Sequence, residues 1–140
     1  MQARTRRAVQ TRWLYNAEST VLKGNVYANC DMPMAYLRRL AKRVWDSEAP
    51  KGRRFPSIVA GAGLLWQKRF TSYCAGFTEI VLARHHRTVL VLLHEITHAL
   101  GPCQHGKAFV KLYFRLLERY GRYDPMLLQG VAAQRGIALA

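Results

Sequence analysis

The stretch 88–102 constrains this chain more than any other. Thr88 is a good acceptor for the free amides at a helix start, and Gly101 and Pro102 cannot continue a helix, so the residues between them read as a helix, Val89–Leu100. That helix is apolar on nearly every side, with Val89, Leu90, Val91, Leu92, Leu93, Ile96, Ala99 and Leu100. A helix apolar all round belongs in a protein interior. Yet it carries His94, Glu95 and His98, and titratable groups buried without a partner cost several kcal/mol. A metal ion would compensate them.

His94-Glu95-Ile96-Thr97-His98 follows the pattern H-E-x-x-H. Positions i and i+4 lie on one helix face, so both imidazoles can reach one ion. Zinc takes imidazole nitrogen at roughly 2.0–2.1 Å in a tetrahedral shell, and catalytic sites keep one position for water. Glu95 adjoins the first ligand and is placed to deprotonate that water as general base, since the ion lowers the water's pKa to about 7. The bland alternative is two satisfied core histidines with Glu95 in a salt bridge. His105 is the favoured third ligand, returned towards the metal by the reversal at Gly101-Pro102-Cys103-Gln104. Cys103 competes for the role as a thiolate, and Glu118 is a more distant candidate. The longer pattern H-E-x-x-H-x-x-G-x-x-H would put its third histidine at Gln104, a poor ligand, so the chain departs from that class. One Zn2+, held by His94, His98 and His105 beside Glu95, is the expected site.

The organisation around this helix is α+β. Asp31 can cap a helix with Pro33 in its first turn, and Met34, Leu37, Leu40, Ala41, Val44 and Trp45 recur at helical spacing. Residues 57–83 turn to β pattern. Ser57–Ala60, 64–73 and 77–83 are strand candidates, the last two joined as a hairpin across Cys74-Ala75-Gly76. In the third, Thr78, Ile80 and Leu82 alternate with Glu79 and Val81. After the central helix, Gly106 opens another helix with Phe109, Leu112, Tyr113, Leu116, Leu117 and Tyr120 on one stripe, ended by Gly121. Asp124-Pro125 starts a last short helix through about Gln134. Residues 1–12 read as a loose basic arm with Arg4, Arg6, Arg7 and Arg12, and 13–27 as a mixed segment with a short strand near Val21 or Val26.

The charge balance is unusual for 140 residues: 22 Lys and Arg oppose 8 Asp and Glu, a formal +14. Such an excess attracts polyanions, nucleic acid foremost. Arg38, Arg39, Lys42 and Arg43 lie off the apolar stripe of their helix with nothing acidic among them, and Arg53 and Arg54 sit in a basic loop. These six are the candidate nucleic-acid residues, DNA before RNA; a solvated helix face is the plain alternative. His85 and His86 read as a solvated turn, with phosphate contact or substrate polarisation as the sharper reading. Trp13, Trp45 and Trp66 read as core, with Trp66 the best base-stacking candidate. Tyr113 and Tyr120 fall on a core stripe, though either could hydrogen-bond an oxyanion. Cys30, Cys74 and Cys103 are odd in number and widely spaced, a poor disulfide framework that points to a reducing compartment. No apolar stretch follows the basic N-terminus and no run approaches the ~20 residues of a membrane span. A soluble, cytoplasmic protein with no membrane partner is expected.

His94-Glu95-Ile96-Thr97-His98 together with His105-Gly106-Lys107-Ala108-Phe109 resembles the SprT-like, or Spartan-type, zinc metalloproteases, in which a third histidine opens the next helix as H-G-x-x-F or H-G-x-x-W. The length, basic arm and preceding β-rich segment also resemble short metallohydrolases of actinobacteria and their phages; the expected cytoplasm would be the host's if the chain is phage-encoded. The motif-level resemblance covers 88–120. It implies one zincin-like metallohydrolase domain over 13–140: an N-terminal helix, a small, about three-stranded, mostly antiparallel sheet, a metal-site helix pair and a short C-terminal helix. It implies peptidase action on proteins, often DNA-associated ones, with His94, His98 and His105 as ligands and Glu95 as the catalytic acid. The link from His98 to His105 is shorter than in many relatives, and no zinc-ribbon cysteines follow. Two rivals stand beside this reading. A zinc-dependent endoribonuclease would suit the charge, although the ribosomal-RNA-maturation enzymes with three histidines at nearly this spacing lack a glutamate at position 95. A non-enzymatic nucleic-acid-binding accessory protein would keep the fold without the chemistry.

Overall fold

A helix that is apolar on all sides needs neighbours on all sides, and the rest of the chain supplies them. The computed structural model describes residues 2–61, 79–101 and 104–139. In chain order these form α1 (Gln2–Ser19), a 3-10 turn (Leu22–Gly24), the short α2 (Val26–Asn29), α3 (Met34–Glu48), β1 (Ser57–Ala60), β2 (Glu79–Leu82), α4 (Val89–Leu100), α5 (Lys107–Tyr120) and α6 (Pro125–Ala133). The arrangement is α+β, and α4 lies at its middle, packed against α2, α3, α5 and β2.

The boundaries follow local chemistry. Thr88 caps α4, its hydroxyl accepting from the Val91 amide at 3.2 Å, and Gly101 ends it at a φ of 152°. Asp124 caps α6 with Pro125 in its first turn. Gly121 closes α5, where a Cβ would stand 2.8 Å from the Leu117 carbonyl oxygen, so only glycine fits. The apolar stripe of α3 is buried as expected, at Leu37, Leu40, Ala41, Val44 and Trp45, but the helix begins one residue after Pro33, which takes the N-cap position instead of Asp31.

Two expectations are corrected, and a third is met only in part. Residues 2–12 are not a loose arm but the first two-thirds of α1, whose Leu14 and Ala17 enter the core. Residues 13–27 hold no strand at Val21 or Val26; they complete α1 and continue through the 3-10 turn into α2. The described sheet is two-stranded and parallel, Ser57 opposite Glu79 through Ala60 opposite Leu82, where a mostly antiparallel sheet was expected. The alternation in β2 that suggested a hairpin strand holds, with Ile80 and Leu82 buried and Glu79 exposed, because side-chain alternation is the same in either strand direction. The strand 64–73, the turn at Cys74-Ala75-Gly76 and Trp66 lie outside the described residues. Arg87 ties the two strand ends together, donating to the carbonyls of Gly61 and Leu82. Among the described residues, no helix is long and apolar enough to cross a membrane.

Candidate metal centre

Helical spacing turns His94 and His98 to the same side of α4, where both are almost fully buried, at 5% and 3% exposure. His105 arrives from beyond the turn, next to Gly106, the N-cap of α5. Its Nε2 lies 3.1 Å from His94 Nε2 and 3.1 Å from His98 Nε2. The ligand atoms of all three fall within 4.8 Å of one another. A single imidazole nitrogen carries either one proton or one lone pair, so His105 Nε2 cannot satisfy two neighbouring ring nitrogens by hydrogen bonding. A cation between them can: tetrahedral zinc with bonds of roughly 2.0–2.1 Å sets its ligand nitrogens about 3.3–3.4 Å apart. The donor set fits zinc. Burial first, then the adjacent imidazoles of His94 and His98, pushes the His105 pKa down to about 4. It is therefore neutral near pH 7, as a metal ligand must be.

Phe109 forms the floor beneath the cluster. It is fully buried, with its ring centroid 4.5 to 5.1 Å from those of His94, His98 and His105. This gives His105-Gly106-Lys107-Ala108-Phe109 a physical meaning: one turn of α5 links the third histidine to the ring on which all three rest.

The sequence reading missed the wall supplied by α1. Thr11, Tyr15 and Glu18 occur at i, i+4 and i+7, on one helix face. Thr11 Oγ1 lies 3.4 Å from His105 Nδ1. The Tyr15 ring stacks on His94 at 6.0 Å and meets His105 edge-on at 5.4 Å. Glu18 Oε2 lies 2.7 Å from His94 Nδ1 and accepts the Tyr113 hydroxyl at 2.6 Å. Burial works against ionisation of Glu18, but the proximity and hydrogen bonds of His94 and Tyr113 outweigh it and hold the carboxyl below its usual range. A signal existed in the sequence: an acidic residue is scarce in this chain, and Glu18 shares a helical face with Thr11 and Tyr15.

Glu95 is half-buried and lines a cleft of about 520 Å³ together with His94, Tyr15 and Glu18. Lys23, His85 and His86 line the same cleft, and His85 holds a left-handed φ of 72°. The turn expected at His85 and His86 therefore borders the cleft. Cys103 lies outside the described residues; Glu118 is exposed on α5 and does not belong to the histidine cluster.

Tyr113 is fully buried with its hydroxyl committed to Glu18, and Tyr120 donates to Glu48 at 3.2 Å, so neither is an oxyanion donor as it stands. Trp13 and Trp45 are core-packed, donating to Gln134 and to the Arg53 carbonyl. Several of the six basic candidates have tasks within the fold. Arg38 donates to the Ile58 carbonyl at 2.9 Å, and Arg53 donates to the carbonyls of Ala99 and Leu100 at the end of α4. Lys42 pairs with Asp46 one turn on, an acidic partner the sequence reading overlooked. Arg43 lies over the Tyr120 ring, while Arg39 and Arg54 are exposed. Comparison with known proteins assigns no family: no family model, curated protein or solved structure matches the chain.

Proposed function

We propose that the chain is a zinc-dependent hydrolase that cleaves peptide bonds. One observation carries the reading: three imidazole nitrogens converge, with His105 Nε2 at 3.1 Å from both His94 Nε2 and His98 Nε2, beside a glutamate that borders an open cleft. The likeness of residues 94–98 and 105–109 to SprT-like metalloproteases supports the same reaction class.

His94, His98 and His105 would hold the ion. Bound there, zinc would polarise a substrate carbonyl and lower the pKa of a coordinated water to about 7. Glu95, one residue along α4 from His94, takes a proton from the attacking water and returns it to the departing amine nitrogen. Tyr15 is half exposed over the imidazoles, and burial, then Glu18 and Glu95, raises its pKa, so it stays a protonated donor at the cleft wall. The apolar packing of α4 excludes water from the opposite side of the histidines.

Purified chain incubated with denatured casein and with structured RNA, each with and without chelator, tests the reading. Chelator-sensitive casein cleavage is expected; chelator-sensitive RNA cleavage with intact casein would select the endoribonuclease instead. The excess positive charge supports a nucleic-acid contact as well, for which DNA binding should weaken steeply with salt.

A further inference from the structure

The role of α1 goes beyond covering the centre. We propose that Glu18 is its positioning residue: its carboxylate keeps His94 protonated at Nδ1, turns the Nε2 lone pair towards the other two histidines, and so couples the docking of α1 to retention of the ion. This rests on the zinc reading above and deepens it.

A single oxygen joins the two partners. One oxygen, Glu18 Oε2, faces both the Tyr113 hydroxyl at 2.6 Å and His94 Nδ1 at 2.7 Å. A carboxylate oxygen can accept two hydrogen bonds at once, and the charged acceptor makes both of them stronger than neutral ones. With Tyr113 donating, the second hydrogen sits on Nδ1. Neutral His94 then has its lone pair on Nε2, the atom 3.1 Å from His105 Nε2. Partners of this kind fix the tautomer and ring orientation of metal-binding histidines and raise their basicity.

Three helices meet at that oxygen: Glu18 from α1, His94 from α4 and Tyr113 from α5. Tyr113 is fully buried, and the Glu18 side chain is only 15% exposed, so the carboxylate has little freedom to turn away. The rest of α1 is anchored independently of Glu18. Leu14 and Ala17 are buried, Trp13 donates to Gln134 at 3.2 Å, and Arg135 donates to Gln10 at 3.0 Å. Variants at position 18 should therefore keep the helix in place well enough to be measured.

The experiment uses the full chain as wild type, Glu18→Gln, Glu18→Ala and Tyr113→Phe. Zn2+ affinity is read by competition with a chromophoric chelator, and the tautomer of His94 by long-range 15N–1H spectra of the metal-free protein. Affinity should fall about 10-fold in Glu18→Gln and up to about 100-fold in Glu18→Ala, with a smaller loss in Tyr113→Phe. His94 should carry its proton on Nδ1 in the wild type and on a mixture of nitrogens in Glu18→Ala. Zn2+ should slow amide exchange over residues 10–19 in the wild type and not in Glu18→Ala. Wild-type binding with unchanged affinity in both position-18 variants would overturn this proposal while leaving the zinc site standing, as would an unchanged tautomer or no Zn2+-dependent protection of α1. A wild type that takes up no Zn2+ overturns both. Should Glu18→Ala fail to fold, the isosteric Glu18→Gln decides by affinity alone.

Discussion

Glu18 and Glu48 have closely similar surroundings and different consequences. Each is enclosed between helices and accepts a hydrogen bond from a tyrosine of α5, Tyr113 for Glu18 and Tyr120 for Glu48. For both, burial disfavours the charge and the donors more than reverse it, so both carboxyls titrate below their usual range. The remaining partners differ. Glu48, with a side chain 1% exposed, takes Arg115 and Arg119, whose heads are 53% and 56% exposed; the contact ends in solvent and clamps α3 to α5. Glu18 takes His94, whose other nitrogen faces two more imidazoles. On the proposed zinc reading, a buried carboxylate is structural or functional according to what its partner's far side touches, which composition alone does not reveal.

The largest effect should come from a third carboxylate. Glu95→Gln is expected to cut casein turnover at least 100-fold, in the range of lost general-base catalysis, while Zn2+ content per chain stays at the wild-type value. Full activity in that variant would remove Glu95 from the mechanism and leave the comparison without a catalytic member.

Next in size is the split between the two enclosed glutamates. Glu18→Gln should weaken Zn2+ binding about 10-fold, and Glu48→Gln should leave it within about 2-fold. Equal losses measured side by side by chelator competition would erase the distinction.

Glu48→Gln should instead show itself in heat. Since both arginine heads are more than half exposed, screening limits the clamp to about 1 kcal/mol, or a fall in thermal midpoint of roughly 2–4 °C. Scanning calorimetry of the metal-free chain reads this directly, and a midpoint equal to wild type would make the clamp ornamental.

The smallest effect is the pH dependence of that clamp. Glu48 binds its proton less readily folded than unfolded, where its value is 4.5. Its stabilising contribution is therefore complete above the unfolded value and is lost as pH falls through the lower folded one. In the Arg115→Ala, Arg119→Ala double variant this acid-induced part should shrink, flattening the thermal midpoint against pH below about 4.5. An unchanged acid profile would assign the loss to other carboxyls.

What the sequence by itself determined is what neighbouring residues settle among themselves. Thr88, the apolar run and Gly101 make α4 whatever surrounds it, and i, i+4 spacing then puts His94 and His98 side by side. Asp124-Pro125 and Gly121 act the same way at α6 and α5. His105 was legible because a short reversal leaves few places for it to go.

Tertiary structure decided the rest. Glu18 and His94 are 76 positions apart, and Thr11 and His105 are 94 apart, so no local pattern pairs them. An arginine-rich segment with few apolar residues looks like a free arm until a core exists to bury Leu14 and Ala17. Strand direction was likewise invisible, since alternation reports which face is buried and not which way the neighbouring strand runs. Side-chain chemistry fixes what a residue can do, while packing between distant segments fixes which partner it does it with.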